Sequence, residues 1–178
     1  PDPTFAIDLD GKVTAWNKAM ETLTGVQKST IIGESDYIYA LPFFGKKQPM
    51  LIDLILHENK EIEKQYPFIQ HKGDKLISEM YFPTLHGQKG AYLWFIASPL
   101  YDASGNRTGA IQVLRDISEN KRAELDLKES EEHYRSLFEH APDAILLLED
   151  SRFISCNTRA TELFGCFAKE EIIERSFI

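Results

Sequence analysis

The fold is decided by residues 3–17, PTFAIDLDGKVTAWN, which recur more loosely as residues 142–157, PDAILLLEDSRFISCN. Each copy ends on an asparagine, Asn17 in the first and Asn157 in the second. A leucine and then a glycine follow each asparagine at the same distances. Because a shared order of several elements does not easily arise by chance, the sequence predicts two copies of one structural unit.

Each unit is predicted to begin with a hairpin and a short helix. In the first copy, apolar residues alternate along Phe5–Leu9, which is the period-two pattern of a strand with one buried face. Asp10-Gly11 is a turn signal, because a two-residue hairpin turn requires positive φ angles. Val13–Trp16 is the returning strand. Asn17 then suits the N-cap of a helix that Gly25 ends.

Helices and three further strands are predicted downstream of this unit. Residues 35–59 contain apolar residues at helical spacing. Strand-like runs follow at residues 75–85, 91–100 and 109–116, and turn-rich segments separate them. This order predicts an α+β domain with helices on one face of a five-stranded antiparallel sheet.

A charged connector follows Asp116, and no glycine occurs in it before Gly165. A seam at alternating spacings of four and three predicts an amphipathic helix, and its members are Ala123, Leu127, Ser130, Tyr134, Leu137 and Ala141. The seam fits a two-chain coiled coil or a solvated spacer helix, and the former is favoured because folded units are expected at both ends. The expected organisation is a first domain over residues 1–118, a helical linker over 119–141 and a truncated second copy over 142–178.

Composition narrows the classes of partner and the cellular setting. The net charge is −8 and the basic residues are scattered, which argues against a nucleic-acid partner. No apolar run approaches the roughly 18 residues of a membrane span, so no membrane contact is expected of this fragment. Two cysteines make no disulfide framework, which favours a cytoplasmic location. The opening at Pro1, without a starting Met or signal-like stretch, suggests a piece of a longer protein.

Several short motifs resemble those of the PAS sensory domain family, whose members occur as tandem repeats in sensor histidine kinases. They are Asp10-Gly11, Trp16-Asn17, Leu23-Thr24-Gly25, Ile31-Ile32-Gly33 and Asp116-Ile117-Ser118 with its following helix. The resemblance covers essentially the whole chain, with the N-terminal cap of the first copy missing. The second copy is under the roughly 40 residues that lone domains need, so it is expected to borrow contacts from the connector or another chain, or to be poorly ordered.

The resemblance implies the input module of a histidine kinase, which senses a small molecule or a redox cue and relays it through the connector helix. It also implies a homodimer formed through that helix and the PAS surfaces. The alternative is a ligandless dimerisation and relay module of a kinase, a cyclase or a transcriptional regulator. An enzyme on a PAS-like scaffold is the third reading, but no phosphoacceptor motif or nucleotide-binding glycine box supports it.

The resemblance also implies where a ligand pocket would lie, between the inner face of the sheet and the helices. It turns one face of the last strand inward and makes Gln112 the candidate for a polar contact. A core filled by its own aromatic rings is the alternative. The pocket candidates are Tyr37, Phe43, Tyr92, Trp94, Ala110, Gln112 and Leu114, and the relay residues are Asp116, Ile117 and Ser118.

The cofactor is left unknown, and the residues argue against both flavin and haem. A flavin photosensor of this family needs a reactive cysteine on a helix of its core, whereas Cys156 and Cys166 lie in other elements of the second copy. His57 is a haem candidate only because it lies near the end of the larger predicted helix. Haem binding is disfavoured because an axial ligand must point into an apolar pocket, whereas a lone histidine more often lies at the surface. No His spacing suggests a metal site.

Overall fold

The computed structural model describes residues 1–85 and 89–173, and by its internal contacts the chain divides into two units. The first unit is residues 1–121 and the second is residues 122–178. The last five residues of the expected second copy therefore lie outside the described residues.

The first unit is built on one antiparallel sheet whose strand order is β2-β1-β6-β5-β4-β3. The strands are β1 (Thr4–Asp8), β2 (Val13–Trp16), β3 (Gln70–Lys72), β4 (Lys75–Phe82), β5 (Ala91–Tyr101) and β6 (Arg107–Asp116). The five predicted strands are present. β3 is a short addition that pairs with β4 at the edge, and all three of its residues are exposed. With no buried face, it carries no alternating pattern that the sequence could reveal.

The helices of the first unit follow β2. They are α1 (Lys18–Thr24), α2 (Lys28–Ile31), α3 (Leu41–Phe44), α4 (Leu51–Leu56) and α5 (Lys60–Glu63), with a 3-10 turn at Ile38–Ala40 before α3. α4 packs against β4, β5 and β6. Its apolar side chains from Leu51 to Ile55 are buried in the main core, so α4 covers the inner face of the sheet.

Asn17 joins the hairpin, the first helix and the start of the chain. Its Oδ1 accepts from the backbone N–H of Met20 at 2.9 Å, which is the predicted N-cap bond, and from that of Thr4 at 3.1 Å. Its Nδ2 donates to the backbone oxygen of Asp2 at 2.9 Å. Gly25 ends α1 in the left-handed region, at a φ of 75°, as predicted. One side chain thus fixes three segments that are separate in sequence.

Asn157 makes the corresponding bonds in the second unit. Its Oδ1 accepts from the N–H groups of Ala160 at 3.0 Å and Ile145 at 2.9 Å, and its Nδ2 donates to the oxygen of Asp143 at 2.9 Å. The same Nδ2 also donates to the oxygen of Phe138, on the connector, at 3.0 Å. The repeat seen in the sequence therefore corresponds to a repeated hydrogen-bond network.

The second unit consists of the connector helix and one hairpin with its helix. Its elements are α6 (Ser118–Glu139), which begins in the first unit, β7 (Leu146–Glu149), β8 (Arg152–Cys156), α7 (Thr158–Phe164) and a 3-10 turn at Lys169–Glu171. Among the helices of the described residues, none combines the length and the apolar character that a membrane crossing requires.

The connector ends earlier than its seam suggested. α6 stops at Glu139, so Ala141 lies outside the helix. The cause is Pro142, because the residue before a proline is disfavoured in helical geometry. Glu139 then accepts from Thr158 N–H at 3.2 Å and pairs with Lys169. These bonds confirm that the short second copy borrows contacts from the connector.

We expect Asn17→Ala to lower the unfolding free energy of the first unit by about 2 kcal/mol. Loss of an N-cap alone costs about 0.5–2 kcal/mol, and two further hydrogen bonds are lost with it. Urea denaturation followed by tryptophan fluorescence measures this unit alone, because both tryptophans, Trp16 and Trp94, lie in it. Thr22→Ala, an exposed position on α1, is the control. A loss no larger than that of Thr22→Ala would contradict the role given to Asn17.

Candidate functional site

Gln112 lies on the inner face of the sheet in apolar surroundings. It is paired in register with Phe5 on β1 and with Ala97 on β5, and all three residues have no exposed surface. Ala110 and Leu114, one pleat away on β6, are equally buried. The structure thus places these three β6 candidates together on the face that α4 covers.

The amide of Gln112 is the unusual polar group of this core. Within the described part of the chain, neither its Nε2 nor its Oε1 has a hydrogen-bond partner, although both atoms are buried. Leaving a buried polar group unpaired costs about 1–3 kcal/mol, and such groups are rare in native proteins. Gln112 therefore offers a donor and an acceptor to a polar ligand that reaches the inner face.

Tyr92 and Trp94 lie on the opposite face of the sheet and cannot line an interior pocket. Side chains alternate along β5, so the ring that faces the core is that of Phe95, which is 1% exposed. Tyr92 is 37% exposed and packs against Tyr81, with ring centroids 4.8 Å apart. The ring centroid of Trp94 lies 5.9 Å from the guanidinium carbon of Arg115. The prediction that Tyr92 and Trp94 line the pocket is therefore wrong.

The two remaining pocket candidates are placed differently from each other. Phe43 is buried in the main core and packs edge-on against Phe82, with ring centroids 5.5 Å apart. Tyr37 is 37% exposed and adopts a left-handed φ of 56°. Its ring lies edge-on to that of Tyr39, with centroids 6.4 Å apart. Phe43 therefore fills the core, whereas Tyr37 lies at its surface.

A buried acid, Asp53, was missed in the sequence. Its Oδ1 accepts from the hydroxyl of Tyr39 at 2.6 Å, and its Oδ2 accepts from the N–H of Met50 at 2.7 Å. Burial raises the pKa of Asp53, and the two hydrogen bonds oppose that rise. Burial and the neighbouring carboxylate also raise the pKa of Tyr39. The available signal was position, since Asp53 is the one polar residue in the apolar run Met50–Leu56.

Asp53 also lines a cavity that is open to solvent. The cavity has a volume of about 420 Å³ and is lined by Leu9, Asp10, Gly11, Ser35, Asp36, Tyr37, Asp53, Leu56 and His57. His57, the haem candidate by position, is exposed just beyond the end of α4, where its N–H donates to the oxygen of Asp53 at 2.9 Å. The imidazole thus belongs to this outer cavity and not to the apolar core.

The relay candidates form the junction between β6 and α6. The Oδ1 of Asp116 accepts from the N–H of Ser118 at 2.8 Å. The hydroxyl oxygen of Ser118 accepts from the N–H of Tyr92 at 2.9 Å, and the N–H of Ile117 donates to the oxygen of Tyr92 at 2.9 Å. The start of the connector is therefore bonded to β5 as well as continuous with β6.

Comparison with known proteins decides the family. A family model described as the PAS fold matches residues 1–122, and a second, described as a PAS domain, matches residues 132–178. The chain belongs to the PAS family. The PAS fold accounts for the antiparallel sheet, the helices on its inner face and the partial second copy.

Two curated relatives contain similar PAS sequence within longer proteins. Sporulation kinase A of Bacillus subtilis is 26% identical over 178 residues, which is 99% of this chain and 26% of that kinase. Halobacterial transducer protein 9 of Halobacterium salinarum is 25% identical over 129 residues, which is 71% of this chain and 26% of that protein. The chain thus spans about a quarter of each relative.

A solved PAS structure resembles the chain more distantly. The PAS domain of Bordetella pertussis BvgS aligns with a TM-score of 0.45 at 18% identity, over 72% of this chain and 85% of that one.

We expect Gln112→Leu to leave the unfolding free energy unchanged or to raise it by about 1 kcal/mol. The reason is that the substitution removes an unpaired amide from an apolar site. Gln112→Glu should lower it by more than about 2 kcal/mol, since the carboxylate would be buried without a partner. Leu114→Ala, on the same face, should cost about 2–5 kcal/mol and shows that the urea assay detects core changes. A loss above about 2 kcal/mol in Gln112→Leu would contradict the unpaired state of the amide.

Proposed function

We propose that the chain is the sensory input part of a larger signalling protein, and that its first PAS copy binds a small molecule. The observation that carries this proposal is the unpaired amide of Gln112 on a buried face that is mostly apolar. Ligand sites of this kind are apolar with a few placed polar groups. The kinase relative supports a histidine kinase as the parent protein, and the cysteine usage supports a cytoplasmic setting.

The relay in this proposal runs along β6. Gln112 and Asp116 lie on the same strand, and Asp116 caps the first residues of the connector. A ligand that prefers one packing of the inner face shifts β6 relative to β5, and the bonds of Ile117 and Ser118 to Tyr92 carry that shift into α6. Signalling requires such a difference in affinity between two states, since binding alone shifts no equilibrium.

Native mass spectrometry of the gently purified 178-residue protein tests the binding step. We expect an additional mass on the wild type that is lost in Gln112→Leu, because the variant keeps the apolar face and removes the polar contact. Trp94→Phe, on the outer face, should keep that mass. A wild type without additional mass, or an equal additional mass in Gln112→Leu, would refute ligand sensing at this residue.

A second candidate function is a ligandless relay that acts through dimerisation of the connector. Its supporting observation is that Leu127, Tyr134 and Leu137 are 62%, 57% and 62% exposed along the seam of α6. Three large apolar side chains on one helix fit the a and d positions of a two-chain coiled coil. The proposed partner is a second copy of this chain, and a dimer is compatible with either function.

We expect Leu127→Asp to convert the dimer into a monomer, because a seam position becomes buried in the dimer and a carboxylate cannot be buried there without a partner. Light scattering coupled to size-exclusion chromatography measures the mass. Leu125→Asp is the matched control, since Leu125 is 58% exposed but lies off the seam. The mass is measured at about 100 µM protein, well above the micromolar Kd values of weak complexes. The connector dimer is excluded if the wild type is monomeric at that concentration, or if Leu127→Asp and Leu125→Asp have the same mass.

A further inference from the structure

Asp53 and Tyr39 form a buried pair, a carboxyl group hydrogen-bonded to a hydroxyl group, that takes no part in the ligand binding proposed at Gln112. Asp53 is 7% exposed and Tyr39 has no exposed surface, yet Asp53 also lines the solvent-open cavity. A proton can therefore reach the acid without opening the core. We propose that this pair is a proton-operated latch, through which the first PAS copy responds to pH whether or not a ligand is bound at Gln112.

The latch follows from the number of acceptors on the carboxyl group. In the ionised form, one oxygen of Asp53 accepts from Tyr39 and the other from Met50. A protonated carboxyl has one hydroxyl oxygen and one good acceptor. Either the Tyr39 bond or the Met50 bond must then be lost or reversed. In either case a buried donor, the Met50 N–H or the Tyr39 hydroxyl, loses its acceptor on Asp53. Because Met50 precedes α4 and Tyr39 lies in the 3-10 turn, this loss weakens the joint between these two elements.

The segment that this joint holds is strained. Asp36 and Tyr37 adopt successive left-handed φ angles of 59° and 56°, just before the 3-10 turn that contains Tyr39. Non-glycine residues in this region cost on the order of 1 kcal/mol each and persist only where surrounding contacts hold them. Loss of the Tyr39 bond removes one such contact, so residues 36–40 are the segment expected to move.

The latch is adjacent to the inner face of the sheet. The ring of Tyr39 packs against Phe5, with centroids 5.3 Å apart, and Phe5 is paired in register with Gln112. A change in the position of Tyr39 therefore alters the packing of Phe5 on β1, which is paired with β6, the strand that continues into the connector. The further contact of Phe5 with Trp16, at 5.6 Å, extends the same layer into β2.

The other charged and titratable groups around Asp53 come from several elements. They are Asp10 at the hairpin turn, Asp36 and Tyr37 before the 3-10 turn, His57 after α4, Tyr66 after α5 and Arg107 at the start of β6. Asp36 is paired with Lys47 at 2.9 Å, and Arg107 donates to the oxygen of Ile55 at 2.7 Å. A positive charge on His57 opposes protonation of Asp53, but burial is the larger influence on its pKa.

The direction of the pH effect on stability follows from the raised pKa of Asp53. The native state binds this proton more readily than the unfolded state does, so the contribution of Asp53 to stability is greatest at low pH. This contribution falls as the pH rises above the pKa of Asp53 in the unfolded state and through its pKa in the folded state. Ionisation of Asp53 therefore lowers the stability of the native state relative to the unfolded state, although the ionised form is the one in which both the Met50 N–H and the Tyr39 hydroxyl donate to the carboxylate.

The test is a pH titration of the ¹⁵N-labelled chain by NMR, followed at the backbone amide of Met50. This amide donates directly to Asp53, so its shift should titrate with one midpoint above the ordinary aspartate value of about 3.9. The amides of residues 36–40 should change with the same midpoint. The amide of Ala160 donates to the uncharged side chain of Asn157 in the second unit, so it is the internal reference and should not follow that curve.

Three variants separate the latch from its alternatives. Asp53→Asn should abolish the titration at Met50, whereas His57→Asn should keep it. Tyr39→Phe should move the midpoint further upward, because the lost hydroxyl stabilised the ionised form. A Met50 titration that persists in Asp53→Asn, a midpoint at or below the ordinary aspartate value, or residues 36–40 that do not respond would each overturn the proposal. None of these outcomes depends on a ligand at Gln112.

Discussion

The pairing of β6 with β1 on one side and with β5 on the other is the constraint on which the first unit depends. It joins the N-terminal hairpin to the last two strands across nearly the whole length of the unit. The fit is close, because a Cβ at Gly109 would lie 2.1 Å from the backbone oxygen of Ile7. Glycine is therefore required at this position for β1 and β6 to pair.

β6 also determines where function can be located. Its inner face carries Gln112 towards the helices, and its end becomes the Asp116–Ser118 junction. The strand is central in the sheet, so its position cannot change without a response from both neighbours. In the proposed function, a signal that begins on the inner face has a short covalent route to the connector, with β5 as the second attachment.

Local patterns in the sequence were sufficient for much of this architecture. The cap of Asn17 depends on interactions within a few residues and appears as expected. Gly11 supplies the positive φ of the hairpin turn, at 75°, within a loop over residues 9–12. The alternation predicted along Phe5–Leu9 is wrong, because Phe5, Ala6 and Ile7 are all buried and Leu9 is 52% exposed beyond the end of β1. The inward face of β6 was implied by the family resemblance, and strand alternation then gives its neighbours at intervals of two the same orientation.

The failures have physical causes as well. Tyr92 and Trp94 were predicted to line the pocket, but strand alternation places them on the opposite face of the sheet. The importance of Asp53 depends on Tyr39, which is far from it in sequence, and no periodicity encodes that hydrogen bond. The early end of α6 depends on Pro142, whose effect outweighs the helical seam at Ala141.

Asp53 and Gln112, two of the polar groups buried beneath the sheet, differ in a way that matters for the proposed sensing. Asp53 has its hydrogen-bond partners and changes only when a proton is added or removed, whereas Gln112 lacks partners among the described residues and changes when one is supplied. The ring of Phe5 lies between them, in contact with Tyr39 and in register with Gln112. If the packing of Phe5 differs between the two states, proton and ligand binding are linked, and each alters the affinity for the other by the same factor. A ligand that favours the ionised latch must then lower the pKa of Asp53, and a more acidic medium must weaken the binding of that ligand. The chemistry of the cue and the acidity of its surroundings would thus reach the connector as one combined signal.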